Sequence, residues 1–311
     1  MTKSLPPPDP LSGGLTVGFK STPIGVDWRT LDEIWHAAGE LDVFTAGWMA
    51  DHLSNANIER GGQSWEAWTL MATLAHRVPG KWLGHAVLAN TFRHPAVLAK
   101  AATVMDQVTG GRFIVGLGAG WHEGEHAAFG IELAPIGERL DRLTSAVEVL
   151  HALFSPAARA EPGVTLDDPF YSLRGAVNDP PPASPHGPPI WLGGQKPRGI
   201  ALAARAANGW LLPGNRAGDL DYLVDRRAAM LRAFEAISRD PAGFTIAGQV
   251  SCGETPVDRR KALEGARAMV RAGAQHVILG FAPRFGPRML QAVAAEVAEP
   301  LLGGARSAPE R

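Results

Sequence analysis

Cysteine is almost absent from this 311-residue chain. Cys252 stands alone, so no internal disulfide can form and a reducing compartment suits it. An excess of either charge is lacking too: 30 basic residues face 31 acidic ones, for a formal net charge of −1. That balance implies no broad attraction to nucleic acid or to a membrane surface. No apolar run is long enough to span a bilayer, and the first residues hold none of signal-peptide length. A cytoplasmic protein with neither nucleic-acid nor membrane partners is the expectation. No sequence period marks a solenoid. What the chain does have is apolar mass. Hydrophobic residues make up 45% and tryptophan occurs nine times, ample for one large core with aromatic side chains left over to line a cleft.

The stretch that organises the rest runs from Arg93 to Gly130, RHPAVLAKAATVMDQVTGGRFIVGLGAGWHEGEHAAFG. Val97, Leu98, Ala101, Val104, Met105 and Val108 recur at helical spacing. Pro95 suits a first turn, and Gly110-Gly111 stops the helix because glycine takes positive φ cheaply. Arg112–Leu117 then reads as a strand buried on both faces. A parallel strand that runs into a glycine-rich loop marks a ligand site at its carboxyl end.

Read in order, residues 1–14 are expected to be a disordered tail, with PPPDP and a Gly-Gly pair. Strands are expected at Leu15–Phe19, Leu41–Trp48, Trp82–Ala89, Arg112–Leu117, Pro189–Leu192, Gly209–Leu212, Phe244–Ser251 and Gln275–Phe281. Helices alternate with them, the first capped by Asp27. Such alternation predicts a closed parallel (β/α)8 TIM barrel over residues 15–300, with a doubly wound open sheet as the alternative. The Pro-rich segment 155–188 reads as an insertion between the fourth and fifth strands that caps the mouth, and 301–311 as a second tail.

Four clusters carry candidate chemistry. Asp51-His52 lies just past the second strand, where a histidine can exchange protons near neutral pH and a carboxylate can orient it. Gly116-Leu-Gly118-Ala-Gly120 departs from the dinucleotide fingerprint in spacing and place, and reads as backbone approached closely by a flat ring, or as tight packing. Gly193-Gly194-Gln195 opens a helix and can cradle a phosphate, aided by Lys196 and Arg198 and more weakly by Asn215 and Arg216. His122-Glu123-Gly124-Glu125-His126 matches the zinc-protease pattern HExxH, with Glu148 as a conceivable third ligand. Gly124 weakens the helix that pattern needs by about 1 kcal/mol.

The Arg93–Gly130 stretch resembles the signature of the luciferase-like monooxygenase superfamily, nearest to its branch that uses the deazaflavin coenzyme F420. MADH at Met49–His52, EAWTLMATLAHRV at Glu66–Val78 and PIWLGGQKPRGIALAARAANGW at Pro189–Trp210 fit the same family in the same order. The resemblance implies a luciferase-like barrel that transfers a hydride between F420 and a small organic substrate. It implies Asp51 against the cofactor and His52 as the catalytic proton carrier. A non-prolyl cis peptide is expected at Ala86-Val87 under the ring, with Gly118, Ala119 and Gly120 beside it. The phosphate falls to Gly193, Gly194 and Gln195, and the substrate to Trp48, Trp121 and His122. No metal and a homodimer are expected. An FMN-dependent monooxygenase is the alternative within the family. A zinc hydrolase through HEGEH and a barrel that has lost its cofactor are the alternatives outside that chemistry.

Overall fold

The computed structural model describes residues 6–54 and 63–306. Short apolar runs, most of them ending at glycine, proline or a polar residue, form the staves of a cylinder. They are β1 (Thr16–Ser21), β2 (Ala46–Met49), β3 (Trp82–His85), β4 (Leu88–Ala89) and β5 (Phe113–Gly118). After an antiparallel hairpin, β6 (Val164–Leu166) with β7 (Leu173–Ala176), follow β8 (Ile190–Leu192), β9 (Gly209–Leu211), β10 (Thr245–Ser251) and β11 (His276–Gly280). The nine-stranded sheet runs β3-β2-β1-β11-β10-β9-β8-β5-β4, and the β3–β5 pairing joins its two ends. Since β3 and β4 are halves of one stave, the cylinder has eight parallel staves and no open edge. That closure excludes the open doubly wound sheet.

Helices cover the outside: α1 (Trp28–Gly39), α2 (Ala67–Leu74), α3 (Pro95–Val108), α4 (Glu123–Ala128), α5 (Ile136–Phe154), α6 (Pro197–Ala206), α7 (Leu220–Ala236), α8 (Pro256–Arg271), α9 (Gly286–Val293) and α10 (Glu299–Arg306). Asp27 caps α1 by accepting from the Thr30 N–H at 2.9 Å. No helix is long and apolar enough to cross a membrane among the described residues.

Two cores result, one between staves and helices, the other inside the cylinder. The inner one holds Trp48 and Trp191, their ring centroids 5.0 Å apart. Glycines on adjoining staves make room for them: a Cβ on Gly18 would lie 2.6 Å from the Trp48 indole nitrogen, and one on Gly209 2.7 Å from Trp191. Large rings beside empty positions fill a barrel without voids.

The expectation of a tail over residues 1–14 fails where they are described. Leu11 is buried in the inner core, and the buried Asp9 accepts from Trp191 Nε1 at 2.5 Å, Thr245 Oγ1 at 2.8 Å and the Leu11 N–H at 2.9 Å. One leucine and one carboxylate thus close the amino-terminal end of the barrel, which prolines and glycines nearby concealed. Residues 1–5 lie outside the described residues. Leu41–Thr45 is a turn rather than strand, and Lys81 Nζ donates to the Leu41 and Phe44 carbonyls at 3.0 and 2.9 Å.

The Pro-rich segment between α5 and β8 runs along the outside. Asn178 donates to Thr103 Oγ1 and the Leu153 carbonyl, both at 3.0 Å, and Gln107 donates to the Pro181 carbonyl at 2.7 Å. Its proline-bound carbonyls are served by polar side chains of α3, and no residue of 155–188 lines the mouth. The expected second tail is helical to Arg306 with Leu301 buried, while residues 307–311 lie outside the described residues.

Candidate active site

The staves open at their carboxyl ends into a cavity of about 1490 Å³. A cavity at this end is where a (β/α)8 barrel assembles side chains from several strands. Its floor includes Ala86 and Val87, joined by a cis peptide bond at the break between β3 and β4. The glycines of the GLGAG segment are needed by this neighbour. A Cβ on Gly116 would lie 1.8 Å from the His85 carbonyl oxygen, one on Gly118 2.8 Å from Val87, and one on Gly120, at φ +77°, 2.5 Å from Thr91 Oγ1. Gly118, Ala119 and Gly120 also line the cavity.

Asp51 and His52 follow β2 and part in function. The buried Asp51 carboxylate accepts from both Arg93 terminal nitrogens at 2.7 and 3.0 Å and from the Ala89 N–H at 2.9 Å. It therefore ties the loop after β2 to the second half of the broken stave. Arg93 also pairs with Glu66, which caps α2. Burial opposes the charge of Glu66, yet hydrogen bonds from Thr69 and Arg93 hold its carboxyl down at about 2.

The His52 ring is held by Glu125: Nδ1 lies 3.3 Å from Oε2, while Oε1 accepts the N–H groups of Leu53 and Ser54. Among the described residues nothing hydrogen-bonds His52 Nε2, and the side chain lines the cavity at 21% exposure. Trp121, 64% exposed at the rim, sets its ring edge-on to His52 with centroids 6.1 Å apart. His122 is beside it, centroids 4.9 Å apart.

The zinc reading fails on local geometry. His122 lies before α4, not in it, and its Nδ1 caps the helix by accepting from the Glu125 N–H at 2.8 Å. His126 spends both ring nitrogens on Thr91 Oγ1 at 2.7 Å and the His122 carbonyl at 2.8 Å. Glu125 faces His52. The HExxH pattern binds zinc only when both histidine rings project from one face of a helix.

Trp48 also departs from expectation. Its place on β2 turns the ring into the barrel interior, where Nε1 donates to His276 Nε2 at 2.9 Å, so it lies below the cavity and does not line it. Gly193, Gly194, Gln195 and Lys196 line the mouth. Trp210 Nε1 fixes the Gly194 carbonyl at 2.7 Å, and among the described residues no side chain caps the start of α6. Gln195 Oε1 is buried with no partner among the described residues. Asn215 and Arg216 line the cavity, whereas Arg198 turns away to Asp141.

The sequence pattern does not single out Arg93, Glu66, Lys20 or Gln249, and Glu125 falls inside the HExxH match at a position to which that pattern gives no role. Lys20 had a signal, a charged residue at the carboxyl end of the first stave. Arg93 and Glu125 had none, because their partners stand 42 and 73 residues away in the chain.

A family model described as luciferase-like monooxygenase matches residues 21–304. A phthiodiolone/phenolphthiodiolone dimycocerosates ketoreductase of Mycobacterium bovis is 28% identical over 70% of this chain, and the match spans 60% of that relative's length. An F420-dependent glucose-6-phosphate dehydrogenase of Amycolatopsis mediterranei is 28% identical over 81% of this chain and 73% of its own. Among solved structures, an F420-dependent secondary alcohol dehydrogenase holding an F420-acetone adduct superposes with a TM-score of 0.75, covering 91% of this chain and 99% of the other at 18% identity. That last likeness is one of fold.

Proposed function

Because the chain belongs to the luciferase-like monooxygenase family, we propose that it is an oxidoreductase that transfers a hydride between coenzyme F420 and a small organic alcohol or carbonyl compound. The observation that carries the reading is His52, anchored through Nδ1 by Glu125 and open to the cavity at Nε2. The F420-dependent dehydrogenase relative supports the choice of coenzyme.

The residues present fit such a group. The start of α6, with no side-chain cap among the described residues, leaves backbone N–H groups for an anion, and the orphaned Gln195 Oε1 is a buried acceptor that a hydroxyl of the same group can satisfy. Gly193, Gly194 and Gln195 would hold the phosphate, Lys196 would add charge, and Ala86, Val87, Gly118, Ala119 and Gly120 would border the ring. When bound, the coenzyme supplies a carbon that accepts or gives hydride.

The chain's own residues do the rest. His52 Nε2 takes the substrate hydroxyl proton in oxidation, or returns it in reduction. Glu125 fixes the ring so that Nδ1 stays engaged and Nε2 faces the reacting oxygen. Asp51 holds the loop that carries His52 by bonding Ala89 and Arg93. Trp121 and His122 border the substrate at the rim and shed water from it.

We further read the protein as a cytoplasmic homodimer. Val97, Val104 and Val108 on one face of α3 are 65%, 60% and 62% exposed, an apolar stripe that a second copy would cover. Titration with F420 and with FMN, followed by fluorescence, tests the coenzyme assignment, and His52→Ala tests the proton carrier. The variant should bind coenzyme as before and turn over substrate slowly.

A further inference from the structure

Among the described lysines and arginines that line the cavity, Lys20 alone is not exposed, and the proposed reaction gives it no task. Lys20 stands at the carboxyl end of β1, paired in register with Trp48 on β2 and Gly280 on β11, and it lines the mouth. Its Nζ donates to Gln249 Oε1 at 3.0 Å. Gln249 is buried on β10 and fixed by its own Nε2, which donates to the Leu212 carbonyl. Its oxygen is therefore aimed at the lysine and cannot turn away without losing that bond.

Among the described residues, no carboxylate makes an ion pair with Lys20. Two arginines of the site are answered, Arg93 by Asp51 and Glu66, and Arg216 by Asp219 at 3.2 Å with its guanidinium over the Tyr222 ring, while Lys196, Lys261 and Arg284 are exposed to solvent. Burial lowers the Lys20 pKa to about 8, which leaves the ammonium charged at neutral pH in a place that penalises charge. A half-buried cation with one neutral acceptor lacks the partner that normally offsets its desolvation. The backbone beside it is bare: a Cβ on Gly214 would lie 3.1 Å from Nζ. Any side chain there would intrude on the space beside the ammonium.

We propose that Lys20 Nζ, propped by Gln249, is the subsite for an anionic oxygen group, a carboxylate or phosphate, on the molecule that fills this mouth. The proposal rests on the reading of the cavity as the active site. Two sources could bring such a group, an acidic substrate or the phosphate of the coenzyme. The contacts of Lys20 come from β10 and the turn after β9, while the phosphate cradle follows β8. The substrate is therefore the favoured source, and the substrate class is an organic acid or phosphate ester.

The test uses the full chain, Lys20→Met and Lys20→Arg. Thermal midpoints are read at fixed ionic strength with sodium chloride replaced by inorganic phosphate or by acetate. F420 affinity is read by fluorescence. We expect phosphate and acetate to raise the wild-type midpoint by about 2–4 °C, as an anion at several times its Kd would. Lys20→Met should lose that rise and Lys20→Arg keep most of it. The midpoint of Lys20→Met in chloride should equal or exceed that of wild type, because a half-buried charge with no ion-pair partner among the described residues has been removed. A folded Lys20→Met that still binds F420 within about twofold identifies the substrate as the source of the anion. A tenfold loss of F420 affinity identifies the coenzyme phosphate, which overturns the substrate class while keeping the subsite. Equal anion effects in wild type and Lys20→Met, or none in either, overturn the subsite. Should F420 fail to bind wild type while the anion effect still depends on Lys20, the coenzyme assignment falls and the subsite stands.

Discussion

Glu125 Oε2 lies 3.3 Å from His52 Nδ1, and the other oxygen of the same carboxylate accepts the Leu53 and Ser54 N–H groups. One buried side chain thus sets both the ring and the loop that bears it. Glu125→Gln retains one acceptor oxygen, which cannot serve the ring and the loop together. Turnover should fall by about 10- to 100-fold, and His52→Ala should lower it by about 10²- to 10⁴-fold, the range of general acid–base catalysis. Coenzyme affinity should stay within about twofold in both. Steady-state kinetics beside a coenzyme titration checks this, and full turnover in His52→Ala would remove the residue from the reaction.

The floor of the cavity depends on Gly116. A methyl group there would meet the His85 carbonyl oxygen at 1.8 Å, a clash with backbone that no rotamer relieves. Gly116→Ala should lose about 3 kcal/mol or more of stability in urea. Gly193→Ala, whose Cβ would lie 3.3 Å from a Val87 methyl carbon, should be much milder.

Leu11 and Asp9 close the far end of the cylinder. Leu11→Ala should cost about 2–5 kcal/mol by opening a cavity among Trp48, Trp191 and Ile278. Coenzyme affinity should be unchanged, because the plug and the mouth are at opposite ends. Urea unfolding and the coenzyme titration together separate the two effects.

Acid should weaken the fold through two histidines. Burial lowers His85 to about 4 and His276 to about 3, from 6.5. The unfolded chain then binds protons that the folded one refuses, so stability is lost as pH falls from 6.5 towards 4. Asp9 works the other way, since burial raises it from 3.8 to about 6 and its contribution grows as pH falls through that range. Two histidines against one carboxyl should leave a net loss. Urea midpoints at pH 7, 6 and 5 test the direction, and His276→Gln should flatten the decline.

The exposed stripe on α3 predicts that Val104→Glu shifts the protein towards monomer. Sedimentation velocity of wild type and variant over a range of concentration reads this, and an unchanged profile would place any interface elsewhere.

Much of the barrel was legible because each stave is a short apolar run between turn residues, and a run such as Arg112–Leu117, short, rich in β-formers and preceded by Gly110-Gly111, reads as a strand buried on both faces. The Asp27 cap and the Gly110-Gly111 stop were legible for the same local reason. What escaped depends on distance along the chain. Nothing near Asp9 or Leu11 says that Trp191 and Thr245 wait for them. Val97, Val104 and Val108 share a helical period with Leu98 and Met105, and period alone does not separate a covered face from a bare one. In the site, Asp51-His52 was visible as a pair, but the partners that divide their tasks arrive from elsewhere, Arg93 from the turn before α3 and Glu125 from α4. Trp48 looked like a site residue because it ends a strand, and the glycines beside it show that it is core.

The most direct test of the account is titration of the purified chain with F420, followed by fluorescence, with FMN in parallel. Saturable binding of one F420 per chain is expected, at least tenfold tighter than FMN, and weakened when Gln195→Ala removes the orphaned acceptor. Absence of saturable F420 binding, or tighter binding of FMN, would contradict it.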